Sequence, residues 1–531
     1  MENTAGSLNE QLATASSLMQ QGNLPAAEAA IATAKTTHDS VASVWALASE
    51  ISLRQGKIGH AWTEVNRAVN LDTHNARRHV QRARCAILAG LVSDAKQSVD
   101  AAAKAGVTEV DDQLMLASVL VRCDDHGGAL AWYRKAEAIQ PERNDLQRGM
   151  ASVYRFTGDI DKAGEACNKA LAADPHDYEM LNLRSSLRRQ TRNDNHIQEL
   201  KERLEKGVRD WRGAVQVAYA VSKELEDIEQ YDEAFQYLEK GASLRRRNLK
   251  YDLDDDIKIF HAIKSAFTRE ALETAAGRGY TSDAPIFILG LPRTGSTLVE
   301  RIVSSHSMVI TAGELNDFAL ELLKLTAAGN RGRQPARLEL PGASLAVDMH
   351  GLGQNYVNSV KPLLKDTPRF IDKLPLNSLY VGLIYLALPR ARVVHVNRHP
   401  VDTCFAIYKY LFKNAYPFSY DLGELGDYYI EHHRLVEHWR KVLPDGWMYD
   451  IRYEDIVDDQ RQETEKLLDY LDLEWEDSCL EFHRNEQAST TGSASQVRQP
   501  LYGSSVGKWN NYEKQLMPLI DKLKTAGIDI D

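Results

Sequence analysis

The fold of the C-terminal half of this chain is decided by the stretch Ala284-Pro-Ile-Phe-Ile-Leu-Gly-Leu-Pro-Arg-Thr-Gly-Ser-Thr-Leu-Val-Glu300. Its apolar run at 285–289 suits a buried strand, and the run from Leu298 onward opens a helix. Between them, Gly290 and Gly295 bound a tight loop. The N–H groups of such a loop and the positive end of the helix dipole point at one anion. The sequence therefore predicts a phosphate-binding loop between a strand and a helix.

The spacing of the two glycines is that of the nucleotide-binding motif G-x-x-x-x-G-K-[ST], with one substitution. Ser296 stands where the motif has lysine, and Thr297 keeps the hydroxyl position. Because that lysine reaches the β- and γ-phosphates of a triphosphate, its absence argues against hydrolysis of ATP or GTP. The loop instead suits a nucleotide with a less charged 5′ group, for which Arg293 supplies the cation.

The chain length indicates two or more domains, since 531 residues are too many for one ordinary hydrophobic core. The chain has 75 acidic and 64 basic residues, a formal net charge of −11. This balance disfavours attraction to nucleic acid or to an anionic membrane, so we expect no nucleic-acid partner and a locally built anion site. The five cysteines include no C-x-x-C pair, which is typical of reduced, buried thiols. We see no metal-ligand cluster and expect no metal.

Two further features bear on location. Residues 1–10 have neither the basic start nor the apolar core of a signal peptide. The longest apolar run, 379–388, is ten residues long and is too short to span a bilayer. We therefore expect a cytoplasmic protein without membrane insertion.

The N-terminal half repeats with a period of 34 residues. The turn before each second helix is marked by Gly22, Gly56, Gly90 and Gly158. Small residues that let paired helices approach recur at Ala27, Ala61, Ala95, Ala129 and Ala163. This is the tetratricopeptide period. The pattern returns at Ala234, 71 residues after Ala163, so the repeats extend to about residue 245 with an atypical unit near 190–225.

Stacked helix pairs present a concave face, which commonly holds a peptide or a protein. We favour such a partner or substrate, while a scaffold that recognises nothing specific stays open. The charged runs at 245–247 and 252–256 are expected to be solvated faces of a connecting helix.

The segment Pro292-Arg-Thr-Gly-Ser-Thr297 resembles the 5′-phosphosulfate-binding loop of sulfotransferases that use 3′-phosphoadenosine 5′-phosphosulfate (PAPS). The tyrosylprotein-sulfotransferase-like branch, fused to tetratricopeptide repeats, is the most similar, and the similarity runs from about residue 284 to about residue 515. The resemblance implies that PAPS is held by the following loop residues: Arg293, Thr294, Gly295, Ser296 and Thr297.

Two motifs carry candidate catalytic residues. Glu314 follows Gly313, and the resemblance implies that it is the general base for the acceptor hydroxyl. From the residues alone it could equally be a helix-start glutamate. Lys373, at the end of the run 370–373, would stabilise charge during transfer together with Arg293. A strand-end lysine without such a role is usually a surface residue.

Two further motifs concern the far end of the donor. The strand at 391–397 leads to Arg398, which the resemblance assigns to the nucleotide's 3′-phosphate. Ala406 stands where the family has a serine for the same phosphate, a loss of about 1–2 kcal/mol if nothing replaces the hydroxyl. The strand from Met448 leads to Tyr453, which the resemblance places beside the nucleotide. The resemblance also implies that a C-terminal Gly/Ser-rich segment contributes Ser493 and Lys508 to donor binding, although such a segment could equally be a surface loop.

The sequence thus predicts a tetratricopeptide helical array at 1–245, a helical connector at 246–283, and an α/β P-loop-type sulfotransferase domain with a mostly parallel sheet at 284–531. The resemblance implies a PAPS-dependent sulfotransferase acting on an acceptor hydroxyl, with a protein tyrosine first and a carbohydrate or small alcohol next. Two alternatives stay open: a P-loop kinase or NTPase, and a non-catalytic repeat scaffold with a decayed transferase domain. A homodimer is the default oligomer.

Overall fold

The structure is a computed structural model that describes residues 2–364, 367–413, 415–485, 496–503 and 505–530. The chain divides into two compact units, one ending at Met180 and the other beginning at Leu181. The predicted boundaries at 245 and 283 stay predictions.

The first unit is built from helix pairs, because apolar residues and alanines recur on one face of each helix. Each pair packs face to face. In chain order the helices are α1 (Glu2–Gln20), α2 (Leu24–Thr37), α3 (Ala42–Arg54), α4 (Ile58–Leu71), α5 (Ala76–Leu88), α6 (Val92–Ala105), α7 (Val110–Arg122), α8 (His126–Glu137), α9 (Asn144–Thr157) and α10 (Ile160–Ala173). The five alanines of the repeat lie in the first turns of α2, α4, α6, α8 and α10, and all are fully buried. The predicted helical array is confirmed.

The turn inside each pair has a left-handed residue at a fixed position. The four predicted glycines, 22, 56, 90 and 158, have φ between 75° and 86°. Asp124 holds the same position in the fourth pair with φ 55°, and Glu229 holds it in a later pair with φ 66°. The turn geometry therefore persists where the sequence has no glycine.

The second unit begins with more helices of the same kind. They are α11 (Tyr178–Ser186), which starts three residues before the unit boundary, α12 (Ile197–Lys206), α13 (Trp211–Asp227), α14 (Tyr231–Arg247), α15 (Leu253–Ala266) and α16 (Arg269–Ala275). The atypical unit that the sequence indicated near 190–225 contains the short α12 and most of α13.

The expectation that the arginines at the end of α14 are solvated is wrong for two of the three. Arg246 donates to both carboxylate oxygens of Glu424, at 2.6 and 2.7 Å. Arg245 donates to the backbone carbonyl of Lys413 at 2.7 Å. These long side chains fasten the end of α14 to the α/β part of the same unit.

The α/β part is a five-stranded sheet with strand order β2-β3-β1-β4-β5, and all its pairings are parallel. The strands are β1 (Pro285–Leu289), β2 (Val309–Thr311), β3 (Arg369–Lys373), β4 (Arg392–Asn397) and β5 (Met448–Arg452). All five residues of the central strand β1 are buried. The predicted parallel sheet is confirmed.

Helices cover the sheet and complete the unit. They are α17 (Ser296–Ser304), α18 (Asp317–Gly329), α19 (Leu340–Ser344), α20 (Met349–Val360), α21 (Val381–Ala387), α22 (Pro400–Tyr408), α23 (Leu422–Val442), α24 (Tyr453–Asp458), α25 (Gln460–Tyr470) and α26 (Glu513–Thr525). An apolar core lies between β1, α17 and α25. All five cysteines are buried, as the sequence predicted. None of the described helices is long and apolar enough to cross a bilayer.

Candidate functional site

The five motifs singled out in the sequence meet at one edge of the sheet. Because the strands are parallel, their carboxyl ends lie together. The loop from Gly290 follows β1, Glu314 follows β2, and Lys373 ends β3. Arg398 follows β4 and Tyr453 follows β5. Residues that are up to 163 positions apart in sequence are thereby brought to one edge.

The glycine loop has the geometry of an anion cradle. Gly295, with φ 102°, is the residue before the first turn of α17, and Arg293 takes a left-handed φ of 68°. A β-carbon on Gly290 would lie 2.3 Å from the carbonyl oxygen of Val396. A β-carbon on Gly295 would lie 2.5 Å from the ring of Tyr453. Gly290 is therefore required by close approach of the Val396 backbone, and Gly295 by its left-handed φ and the close approach of the Tyr453 ring.

A cavity of about 160 Å³ connects this loop with Arg398. Its wall combines the loop, the start of α17, the end of α22, the start of α24, Phe482, and residues 497 and 499–502 together with Ser505. The residues that line it are Arg293, Gly295, Ser296, Thr297, Leu298, Arg398, Ala406, Lys409, Tyr453, Phe482, Val497, Gln499, Pro500, Leu501, Tyr502 and Ser505. The described lining contains three cations and no carboxylate, so the cavity favours an anion.

Arg398 is held firmly at one end of this cavity. Its side chain is only 9% exposed and lies 3.5 Å from Asp402. The guanidinium packs over the ring of Tyr453 at 5.0 Å and donates to the backbone carbonyl of Ser505 at 2.5 Å. Its Nε is buried and has no hydrogen-bond partner among the described residues. An acidic oxygen, Oε1 of Glu454, lies 4.0 Å from this Nε, so the guanidinium is held between Asp402 and Glu454.

Arg293 lies at the loop end, with its guanidinium 5.1 Å from the ring of Tyr410. Burial lowers the pKa of this guanidinium from its usual value. A cation removed from water gains more from an anionic ligand than a solvated one does.

Glu314 and Lys373 form an ion pair at the ends of β2 and β3. The Lys373 ammonium donates to Oε1 of Glu314, and the Lys373 N–H donates to the carbonyl of Gly313 at 2.9 Å. Lys373 is 3% exposed, whereas Glu314 is 49% exposed. Lys373 is in register with Ile288 of β1, one residue before the strand end. The pair therefore lies beside the glycine loop, with the carboxylate accessible to solvent.

Not every predicted site residue lines the cavity. Thr294 is buried, but its hydroxyl donates to the carbonyl of Leu291 at 2.8 Å, and it borders a separate cavity of about 300 Å³. Lys508 is exposed on the turn Lys508–Tyr512 and is not part of the lining. Ser493 falls outside the described residues.

Three contributors were missed in the sequence. Lys409 lines the cavity three residues after Ala406, and Tyr410 stacks with Arg293. The Ser505 hydroxyl hydrogen-bonds with that of Tyr453 at 2.6 Å. For Lys409, the sequence offered one indication: it follows Ala406 by three residues, close to one helical turn, and so lies on the same side of the helix.

A second, larger cavity of about 520 Å³ lies in the same unit and is mainly apolar. Leu376 and Tyr380, from the turn after Lys373, form part of its wall. Tyr416 also lines it, and the charge of Glu314 contributes to raising the pKa of the Tyr416 hydroxyl, after the larger effect of burial. The wall of this cavity therefore includes residues that closely follow Lys373, the ion-pair partner of Glu314.

The structure describes no group of three or more His, Cys, Asp or Glu side chains, in the ranges given above, that could hold a metal ion.

Comparison with known proteins agrees with this geometry. Residues 285–477 match the sulfotransferase family, and residues 149–177 match a tetratricopeptide repeat. The chain thus carries a sulfotransferase-family domain preceded by tetratricopeptide repeats. A curated relative from Aquifex aeolicus (strain VF5), described as an uncharacterized protein, is 32% identical over 403 residues. The match covers 74% of this chain and 52% of the relative, so the chain spans about half the length of that relative.

Solved structures of both kinds are similar to parts of the chain. The sulfotransferase domain from the Synechococcus PCC 7002 olefin synthase is 17% identical, with coverage of 48% and 98% of the two chains and a TM-score of 0.35. The sulfotransferase domain from the curacin biosynthetic pathway is 16% identical, with coverage of 47% and 100% and a TM-score of 0.34. YrrB, described as a TPR protein with an unusual peptide-binding site, is 14% identical, with coverage of 39% and 96% and a TM-score of 0.28.

Proposed function

We propose that this chain transfers a sulfuryl group from PAPS to an acceptor hydroxyl. The observation that carries this proposal is the single cavity that joins the glycine loop to Arg398. A donor with an anionic group at each end needs several cations around one cavity, and Arg293, Arg398 and Lys409 all line this one. The match of residues 285–477 to the sulfotransferase family supports the same reaction.

Different lining residues would bind different parts of the donor. The backbone N–H groups at the start of α17, with Arg293, Ser296 and Thr297, would hold the phosphosulfate end. Arg398 would hold the 3′-phosphate, and Tyr453 would flank the nucleotide. Thr294 would support the loop through its bond to Leu291 instead of touching the donor.

The chemical step needs a base and a stabiliser of negative charge. Glu314 would take the proton of the acceptor hydroxyl, whose oxygen forms the new bond to sulfur. The bond from sulfur to the bridging oxygen breaks, and 3′-phosphoadenosine 5′-phosphate leaves. Arg293 and Lys373 would stabilise the charge that moves onto that bridging oxygen. The ion pair between Lys373 and Glu314 supports this division, because it places a cation and a base side by side.

The apolar cavity of about 520 Å³ is our candidate for the acceptor site. A phenol ring or the hydrocarbon part of an alcohol would bury well against Tyr380, Tyr416 and Phe418. A free sugar would bury little apolar surface there and would have to pair its hydroxyl groups with Asp256, Arg337 and Ser344. A protein tyrosine, as in the tyrosylprotein branch, therefore stays our first acceptor, with a small alcohol next. A peptide held by the repeats, a homodimer and a cytoplasmic location belong to the same proposal.

The test is transfer of radiolabelled sulfate from PAPS to a panel of tyrosine peptides, phenols, alcohols and sugars. Wild type should label at least one phenol or alcohol. Glu314→Gln should lower the rate about 10²- to 10⁴-fold, the usual contribution of a general base, without loss of 3′-phosphoadenosine 5′-phosphate binding. Glu465→Gln, an exposed glutamate on α25, is the matched control and should leave transfer unchanged.

Two results would contradict the proposal. Binding of 3′-phosphoadenosine 5′-phosphate without transfer to any acceptor would favour the non-catalytic scaffold, for which Ala406 is the supporting observation. Tight, magnesium-dependent binding of ATP without affinity for 3′-phosphoadenosine 5′-phosphate would favour the kinase or NTPase alternative.

A further inference from the structure

Lys409 is a cation of the donor cavity that the sequence motifs do not include. It follows the last residue of α22 and lines the cavity together with Arg398 and Ala406. Its ammonium lies 4.7 Å from the ring of Phe405 on the preceding turn. Ala406 lacks the hydroxyl donor that the family has at this position, and Lys409, close to one helical turn later, is a cation of the same cavity lining.

The ammonium of Lys409 is held by Glu226 of α13, which precedes the transferase domain by about sixty residues. Nζ donates to Oε1 at 2.9 Å and to Oε2 at 2.8 Å. Glu226 also accepts from the Tyr512 hydroxyl at 2.9 Å. Both partners are partly shielded, with 24% and 21% of their side chains exposed. Burial acts to raise the pKa of Glu226, but the charge and hydrogen bonds of Lys409, the charge of Lys508 and the hydrogen bond from Tyr512 together lower it.

This arrangement leaves one hydrogen-bond donor unused. An ammonium has three N–H donors and no acceptor. Two of them are directed to the carboxylate of Glu226, so the third is available to an anion in the cavity that Lys409 lines. The carboxylate fixes the position of the ammonium and at the same time neutralises part of its charge.

We propose that Lys409 is the second cation for the distal phosphate of the donor, and that Glu226 on the helical segment controls how strongly Lys409 binds it. The proposal rests on the proposed function, since it assumes a donor with a 3′-phosphate. It makes donor affinity depend on α13, a helix outside the region that matches the sulfotransferase family.

The test is isothermal titration of the full chain with two probes, 3′-phosphoadenosine 5′-phosphate and adenosine 5′-phosphate, which differ in the distal phosphate alone. Lys409→Met should weaken the first by about tenfold or more, the usual effect of a lost charged hydrogen bond, and the second by less than about twofold. Lys409→Arg should restore most of the preference, which a merely structural role would not do. Lys264→Met, which breaks a comparable ion pair to Glu431 between α15 and α23, should change neither affinity.

Glu226→Gln keeps a hydrogen-bond acceptor but removes the charge. It should tighten binding of 3′-phosphoadenosine 5′-phosphate by about threefold or more at low salt, because the Lys409 charge is no longer neutralised. In the Lys409→Met background the same change should have an effect of a different size, because the carboxylate then has no Lys409 charge to neutralise and acts on the anion directly. Equal effects in the two backgrounds would show that Glu226 does not act through Lys409.

The outcomes distinguish a failure of the proposed function from a failure of the role assigned to Lys409. If wild type does not bind 3′-phosphoadenosine 5′-phosphate, the proposed function fails, and this inference fails with it. If wild type binds it but Lys409→Met weakens both probes equally, only the role of Lys409 is overturned. The preference between probes is measured within one variant, so a partly unfolded sample changes the number of binding sites and not the ratio.

Discussion

Gly295 shows how closely single residues determine the loop. Its left-handed backbone and its contact with the Tyr453 ring leave no space for a β-carbon. Gly295→Ala should weaken binding of 3′-phosphoadenosine 5′-phosphate about tenfold or more, since a left-handed residue with a β-carbon costs about 1–2 kcal/mol before the clash with Tyr453 is added. Titration of wild type and variant measures the change.

Gly329→Ala is the matched control for this prediction. Gly329 is the last residue of α18, and a β-carbon there meets no atom within 4 Å. The control should bind donor like wild type. Equal affinities for wild type and Gly295→Ala would show that the cradle is not the donor site.

Asp372 illustrates a buried acid beside the site. It lies on β3 next to Lys373, fully buried, and accepts from the Tyr356 hydroxyl at 2.8 Å. Burial raises the pKa of its carboxyl from 3.8 to about 7. Below pH 4 both the folded and the unfolded chain hold this proton. Between pH 4 and 7 the folded chain keeps it longer, so the contribution of Asp372 to stability falls as the pH rises.

Asp372→Asn removes this titration. The melting temperature of the variant relative to wild type should therefore be higher at pH 8 than at pH 4.5, as thermal unfolding at both pH values would measure. Asp445→Asn changes an exposed position before β5 and serves as the control. Its melting temperature should differ from that of wild type by the same amount at pH 4.5 and at pH 8. A difference for Asp372→Asn that does not change with pH would contradict the assigned titration.

At the scale of elements, one turn between paired helices has backbone strain that the sequence does not indicate. Glu229 adopts a left-handed backbone between α13 and α14, where most of the other pairs have glycine. Its carboxylate makes an exposed ion pair with Arg189 at 3.2 Å, and such pairs contribute about 0–1 kcal/mol. Relief of the left-handed strain, about 1–2 kcal/mol, exceeds that loss.

Glu229→Gly should therefore raise the midpoint of urea unfolding, whereas Glu229→Ala should lower it or leave it unchanged, because alanine loses the ion pair and keeps the β-carbon. Unfolding followed by circular dichroism measures both. If glycine and alanine gave the same midpoint, the left-handed turn would not be a source of strain.

Elements with local signals could be predicted from the sequence. The strand β1 and the loop before α17 follow from an apolar run bounded by glycines, and the 34-residue period follows from small residues at fixed positions. The left-handed turns at Asp124 and Glu229 could not be predicted, because neither residue type favours them strongly and the packing of the helix pair imposes them.

The candidate site could be predicted from the sequence where its residues follow the strands of one parallel sheet, because the ends of these strands lie together. Arg293, Lys373 and Arg398 carry such a signal. Lys409 does not, because its role depends on Glu226, which is 183 positions away and reaches it only through tertiary packing. Lys508 fits the sequence motif but is exposed outside the cavity lining.

At the scale of the whole molecule, the compact units predict which fragments are stable. The second unit includes α13 and α14, whose side chains contact the α/β part: Phe235 packs 6.3 Å from Tyr408, and Tyr219 donates to the Tyr408 carbonyl at 3.3 Å. A fragment of residues 178–531 should therefore fold and bind 3′-phosphoadenosine 5′-phosphate with an affinity within about threefold of the full chain, a change of less than 1 kcal/mol.

A fragment of residues 246–531, which begins after the predicted repeat array, loses α13 and α14. It should expose the apolar surface around Tyr408 and aggregate or melt at a lower temperature. Size-exclusion chromatography and thermal unfolding of the two fragments distinguish them. Equal behaviour would show that α13 and α14 do not contribute to the stability of the α/β part.

The buried cysteines make the protein convenient for site-specific labelling. Burial raises the pKa of Cys85 and Cys123 to about 11 and that of Cys479 to about 12, so these thiols are poor nucleophiles at neutral pH. A Val506→Cys substitution, at an exposed position next to Ser505, would supply an accessible thiol, while the native thiols would react slowly. A fluorophore attached there would follow nucleotide addition in real time, in a chain that keeps every native cysteine.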